Sequence, residues 1–280
     1  MSVNPLPARG LLGDTAARDY SEKLRRFNAF AAPELRAAIA GLGLRPGMRV
    51  LDAGCGTGEA LAWLAAEVGR HGNVVGVDLS RAHVEAARAL GDAVQADVTA
   101  LPFAAGTFDL IWSVNVVNHL RAPRDGVRAL ASLLRDGGRL ALGQSSFLPD
   151  MVFAWDARLE RVVNEAVRAY YRDKYDVDER GLAAVRATVG LLREAGLHDV
   201  RAQTFSIDRI SPVNLDDERY IAGTLFRDSW GSRLATYMDA DDYDAMMRLC
   251  DPADEAFALR RPDFHFLQTF TLTTGTLSAK

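Results

Sequence analysis

Apolar residues first recur along this chain at helical spacing and then gather into short continuous runs. Tyr20, Leu24, Phe27 and Ala31 fall three to four residues apart. Leu35, Ala38, Ile39 and Leu42 do the same beyond Pro33, a residue suited to a first helical turn. Residues 15–43 therefore read as two helices, closed by the turn Arg45-Pro46-Gly47. From Met48 the pattern changes. MRVLDAG, NVVGVDLS, DAVQADV, FDLIWSV and RLALGQS are short apolar runs that read as five strands. Helical patterns separate most of them: Leu61, Leu64, Ala65 and Val68; a helix capped by Ser80 and reaching about Leu90; and one opened by Pro123, carrying Val127, Leu130, Ala131 and Leu134 and ended by Gly137-Gly138. Strands apolar on both faces that alternate with helices predict a parallel sheet covered on both sides.

The rhythm breaks after Ser145. Trp155, Leu159, Val162, Ala166 and Tyr170 mark a helix within an insertion at 146–180. GLAAVRATVGLLREAG then reads as a cover helix and HDVRAQTFSI as a strand. A second insertion, 211–262, holds several short helices, and DFHFLQTFTLTTG closes the chain as a long strand. The organisation expected is one domain over 1–280: an N-terminal helical cap at 1–45, a core at 46–145, and the two insertions.

The segment VLDAGCGTGE places Gly54, Gly56 and Gly58 between the first strand and its helix. Glycines there allow a sharp turn and close approach of a ligand to the backbone. A dinucleotide fingerprint would put glycine at position 59, which is Glu59, and Asp52 precedes the loop. Carboxylates repel a pyrophosphate and suit a cationic ligand without phosphates. No Gly-Lys-Ser/Thr follows, so the loop is not a Walker loop. Asp78 ends the second strand, where one carboxylate can accept from both hydroxyls of a ribose. Asp97 ends the third, and with the backbone of Val98 it can face the amino edge of an adenine.

In this order, VLDAGCGTG, VVGVDLS, QADVTALPF, FDLIWSVNVVNHL and LLRDGGRLALG resemble the class I S-adenosylmethionine-dependent methyltransferases, in particular the small-molecule branch similar to ubiquinone/menaquinone-biosynthesis methyltransferases. The likeness is strong over residues 45–145 and weaker beyond. It implies an α/β, Rossmann-like, seven-stranded, mostly parallel sheet in the order 3-2-1-4-5-7-6, with the last strand antiparallel. It implies S-adenosylmethionine as cofactor. Gly54, Gly56 and Gly58 would line it, with backbone contacts from Ala53 and Cys55. Asp78 with Leu79 would lie at the ribose, Asp97 and Val98 at the adenine, and Ser113 under the methionine part.

Methyl transfer needs alignment of the acceptor and exclusion of water, and a base only if the acceptor must lose a proton. His119, after the fourth strand, is the candidate base; its other reading is a residue that orients the loop. Asn115 and Asn118 either hold polar substrate atoms or cap the turn. Tyr20 either covers the methionine end of the cofactor or is a core aromatic. Cys55 reads as packing or backbone contact rather than nucleophile. His71 and His83 read as solvated. Trp155, a candidate substrate contact, belongs with Tyr170, Tyr171, Phe226, Trp230, Tyr237 and Tyr243 to a set of aromatics in the insertions. They wall an acceptor pocket, form the insertions' own cores, or make the contact of a homodimer. The acids of DADDYD, Asp239 to Asp244, lack the pattern of a calcium loop and read as helix-capping, so no metal is expected.

Composition narrows the partners. The 280 residues carry a net charge of -4 and a pI of about 5.8, which argues against nucleic acid. SVNVVNHL also stands where a nucleic-acid methyltransferase carries an Asn-Pro-Pro-Tyr type of motif. Lysine occurs only at Lys23, Lys174 and Lys280, so arginine dominates the basic residues, but scattered along an alanine-rich chain. No apolar run approaches the ~20 residues of a membrane helix, and MSVNPLPARGLLGD has no signal-peptide core. With only Cys55 and Cys250, a reduced cytoplasm is the expected setting. The function expected is methylation of a small-molecule acceptor at O, N or C. The alternatives are a non-methylating enzyme using the same cofactor, such as a cyclase, and a non-catalytic cofactor-binding protein.

Overall fold

The apolar runs fold into one mixed sheet. The computed structural model describes residues 20–146, 148–175 and 184–278; the part of the first predicted helix before Tyr20 lies outside them. Five strands run parallel: β1 (Arg49–Ala53), β2 (Asn73–Asp78), β3 (Asp92–Gln95), β4 (Phe108–Val114) and β5 (Leu134–Ser145). The long closing strand β8 (His265–Leu277) pairs antiparallel with β5, and β7 (Leu197–Ile210) pairs with the other side of β8. Order and directions match the expectation, with one addition. The first insertion contributes a short strand, β6 (Met151–Val152), which extends the β5 side of β8 at Phe266 and Leu267. The sheet therefore has eight strands, not seven.

Helices cover both faces. On one side lie α1 (Ser21–Phe30), α2 (Ala32–Ala40), α3 (Glu59–Val68) and α6 (Ala157–Tyr175). With Val50, Leu110, Trp112, Ala141, Phe266 and Phe270 of the strands they form the larger core. On the other side, α5 (Pro123–Ser132) and α7 (Ala184–Glu194) pack against Leu51, Ile111, Leu140 and Leu142. A short α4 (Arg81–Ala87) follows β2, its Ser80 hydroxyl accepting from the His83 N–H at 3.5 Å. One predicted boundary moves. Gly137-Gly138 does not end α5, which stops at Ser132. Leu133 and Leu134 are drawn into the core, Leu134 pairs with Phe108, and both glycines fall inside β5.

The second insertion begins with α8 (Leu215–Glu218) and continues through Arg219–Trp230 in wider, π-type turns before α9 (Ala240–Cys250). Its aromatics do not form a separate core. Phe226 and Trp230 meet Trp155 of the first insertion with ring centroids 5.7 and 5.6 Å apart. All three belong to the cluster that contains Leu64 and Trp112 of the central domain. Trp155, Phe226 and Trp230 thus correct the expectation that these aromatics make cores of the insertions' own: they pack into the core of the central domain.

Candidate functional site

The carboxyl ends of β1, β2 and β4 meet around the glycine loop. Gly54, Gly56 and Gly58 all have positive φ. At Gly54 a side chain is also excluded by space, since a Cβ would lie 2.2 Å from Val116 Cγ2 in the segment after β4. The Gly54 and Cys55 amides both donate to the Val77 carbonyl at 2.8 Å, which holds the loop against β2. Cys55 is buried, and desolvation drives its thiol far up from the usual range, so it is not a nucleophile here.

Asp78 is the hub of this edge. Its Oδ2 accepts from the Gly56 amide at 2.9 Å, and its Oδ1 from the Ser80 amide at 2.9 Å. A third contact comes from His83, whose Nδ1 lies 3.2 Å from Oδ1. His83 is 4% exposed, so its expected solvation is corrected: α4 turns this position inward against β2. A carboxylate offers about four lone-pair directions. With three engaged by the protein, the bidentate embrace of two hydroxyls expected from the sequence would require one donor to yield.

Asp52 lies behind the loop. It is 2% exposed, and its Oδ2 has no partner among the described residues. Burial first, then the charges of Asp78 and Glu59, pushes its pKa up to about 8. Asp97 is exposed and accepts at Oδ1 from the Thr99 amide at 2.8 Å and from its hydroxyl at 2.7 Å; Val98 beside it is buried. Leu79 is exposed next to Asp78.

The segment after β4 carries the remaining candidates. Ser113 is buried and donates to the Ala53 carbonyl at 2.8 Å, clamping β4 to β1. Asn115 adopts φ 57, and its amide is spent on β5. Its Oδ1 accepts from the Ser145 amide at 2.8 Å and from Gln144 Nε2 at 3.1 Å, while its Nδ2 donates to Ser145 Oγ at 3.3 Å. Asn115 thus brackets two strand ends instead of reaching outward. The turn Val117–His119 follows. Asn118 Oδ1, His119 Nδ1 and Gln144 Oε1 are enclosed without partners among the described residues. His119 has its pKa lowered by burial, opposed by attraction to Asp78. Gln144 was not a candidate from the sequence. A glutamine at a strand end is unremarkable until Asn115 is seen to fix its amide.

Comparison with known proteins finds likenesses over the same segment. Residues 51–142, the segment from β1 to β5, match the family described as "Methyltransferase domain". This segment is therefore similar to a methyltransferase domain. Methyltransferase GfsG of Streptomyces halstedii is 39% identical over 110 residues, covering 36% of this chain and 39% of that protein. The 27-O-demethylrifamycin SV methyltransferase of Amycolatopsis mediterranei is 33% identical over 190 residues, covering 63% of this chain and 64% of that protein. The chain thus spans less than two thirds of the length of either relative. Among solved structures, YcgJ of Bacillus subtilis shares the fold at TM-score 0.53 and 20% identity, over 89% of this chain and 100% of that one.

The residues around the glycine loop fit a cationic, phosphate-free cofactor. Asp52, Asp78 and Glu59 interact electrostatically at the loop, and the unpartnered oxygen of Asp52 is an acceptor in search of a donor. A sulfonium with an ammonium group matches that field, whereas a pyrophosphate opposes it. The N-terminal cap reaches the same loop: Leu24 lies over Gly56, and Asn28 Nδ2 donates to Glu59 Oε2 at 2.7 Å.

Other features lie away from this edge. A groove of about 570 Å³ runs along the second insertion past Arg26, Phe226, Met247 and Cys250. Another of about 530 Å³ lies at the amino ends of the strands, at Arg49, Asn73, Asp92 and Phe108. Asp239 stands at the N-cap of α9 without a side-chain capping bond, so its expected capping role is corrected. Asp242, in the first turn, instead pairs with Arg158 at 3.0 Å. Among the described residues, no three His, Cys, Asp or Glu side chains are grouped to hold a metal, and no helix is long and apolar enough to cross a membrane.

Proposed function

We propose that this protein transfers a methyl group from S-adenosylmethionine to a hydroxyl of a small-molecule acceptor. The observation that carries the reading is the place of His119, in the turn after β4 with its Nδ1 enclosed and without a partner among the described residues. The name of the 27-O-demethylrifamycin SV methyltransferase supports oxygen as the atom methylated, and the net charge of -4 supports a small molecule over nucleic acid. Two buried, free thiols suit a reducing compartment such as the cytoplasm.

When bound, the cofactor supplies a methyl carbon attached to a sulfonium. In this reading Asp78 takes the ribose, with Leu79 beside it. Asp97 and Val98 take the adenine. The backbone of Ala53 to Gly58 would hold the cofactor, together with Ser113 and Tyr20. His119 would take the proton that the acceptor's hydroxyl loses on methylation, leaving the imidazole protonated. Asn118 and Gln144 offer oxygens to neighbouring donor groups of the acceptor. A neutral imidazole suits this step because a protonated ring has no lone pair to offer.

The test uses methyl-labelled cofactor with hydroxylated natural products and their O-methyl counterparts. The expected result is label in an ether of the free hydroxyl and none in the blocked compound. His119→Gln should lower turnover by about 10²–10⁴ while leaving cofactor affinity near normal. Product formation without label transfer would overturn methylation, and turnover within a few-fold of wild type would overturn the base.

A further inference from the structure

One face of α1 is tied to the glycine loop at three levels. Tyr20, Leu24 and Asn28 stand four residues apart and share that side of the helix. The Tyr20 amide donates to His83 Nε2 at 3.4 Å. A Cβ on Gly56 would meet Leu24 Cδ1 at 3.1 Å. Asn28 reaches Glu59 Oε2, which also accepts from the Thr57 hydroxyl at 2.6 Å.

The contact through His83 differs in kind, because its other nitrogen reaches Asp78. The two bonds fix the tautomer. An amide N–H on Nε2 needs a lone pair there, so the ring proton sits on Nδ1 and is donated to the carboxylate. The imidazole therefore links the main chain at the start of α1 to the carboxylate proposed to face the ribose. It also helps to set the plane of that carboxylate. Oδ1 carries both the Ser80 amide and His83, whereas Oδ2 carries only the Gly56 amide. The remaining acceptor capacity is on Oδ2, and its direction depends on how Oδ1 is held.

We propose that His83 is a positioning residue that couples docking of α1 to the aim of Asp78, so that the ribose subsite is shaped only with the cap in place. The proposal rests on the cofactor reading above. His83 does not touch the methyl group or the acceptor; it acts through the carboxylate.

The test uses the full chain, S-adenosylhomocysteine by calorimetry, and amide hydrogen exchange over residues 21–30 without ligand. His83→Leu keeps apolar volume and loses both bonds. His83→Gln retains one donor and one acceptor. We expect His83→Leu to bind about tenfold more weakly, with faster exchange in α1, and His83→Gln to return both readouts to within a few-fold of wild type. Tyr20→Pro removes the amide hydrogen, whereas Tyr20→Ala keeps it. The proline variant should bind more weakly and exchange faster than the alanine variant when His83 is present, and no differently in the His83→Leu background. This second comparison holds even if His83→Leu alone folds poorly: equal behaviour of Tyr20→Pro and Tyr20→Ala beside an intact His83 overturns the coupling. So does wild-type affinity and exchange in a folded His83→Leu. Wild type that fails to bind S-adenosylhomocysteine overturns the cofactor reading itself, and this proposal with it.

Discussion

Asp52 shows what burial does to one side chain. In the unfolded chain its carboxyl is ionised above pH 4; in the folded chain it holds its proton to about pH 8. Its folded pKa is raised, so its contribution to stability is fully present below pH 4 and lost as pH rises towards 8. The slope is on the order of 1 kcal/mol per pH unit within that window. Asp52→Asn should flatten this part of the stability profile in denaturant titrations at stepped pH. A cation seated beside Asp52 favours the carboxylate, so cofactor binding should release a proton near pH 6–7. The measurement is calorimetry in buffers of different ionisation enthalpy. The apparent binding enthalpy should vary with buffer for wild type and not for Asp52→Asn; a buffer-independent wild type would show that Asp52 stays protonated. His119 has the opposite sign. Its folded pKa is lowered, so its contribution is present above the ordinary histidine range and lost as the ring is forced to charge in acid.

Between elements, Arg209 at the end of β7 makes a tie outside the sheet. Its guanidinium meets both oxygens of Glu34 at 2.9 and 3.0 Å and Asp217 at 2.8 Å. It also donates to the Phe30 carbonyl and lies 4.8 Å from the Phe30 ring centroid. One side chain thus joins α1, α2, β7 and α8, with both carboxylates largely buried. Arg209→Ala leaves two buried acids without their cation and should cost about 3–5 kcal/mol in denaturant unfolding. Arg209→Lys should recover only part of this, because an ammonium cannot reproduce the planar fork. A loss below about 1 kcal/mol for Arg209→Ala would show that water replaces the guanidinium.

Across the molecule, cap, sheet and insertions share one apolar cluster. Phe30 of α1, Val50 and Trp112 of the sheet, and Trp155, Phe226 and Trp230 of the insertions are continuous in it. An insertion with its own core would unfold separately; these should not. Thermal unfolding should be one transition with matching calorimetric and van't Hoff enthalpies. A fragment of residues 46–145 should show no cooperative transition, since Val50, Leu64, Trp112 and Ala141 would lose their cover on one face. A second resolved transition in the whole chain, or a folded fragment, would make the insertions separable units.

The strands themselves and the places of Gly54, Gly56, Gly58, Asp78 and Asp97 were legible in the sequence because their causes are local, whereas the order of the strands came from the resemblance. An apolar run of given length makes a buried strand, and the residues just beyond it necessarily lie at the sheet edge. The inward turn of His83, the bracketing by Asn115, the enclosed oxygen of Gln144 and the protonated state of Asp52 were not. Each depends on groups remote in the chain. Tyr20 meets His83 across 63 positions, Asn115 meets Ser145 across 30, and Arg209 meets Phe30 across 179. The sequence by itself determined a Rossmann-like edge with a glycine loop and acids. Only the tertiary structure decided that burial raises the pKa of Asp52, which polar atoms among the described residues are left without a partner, and that the aromatics of the insertions complete the domain's own core. Period and spacing act along the chain, whereas desolvation and hydrogen-bond pairing are set by whatever packs across it.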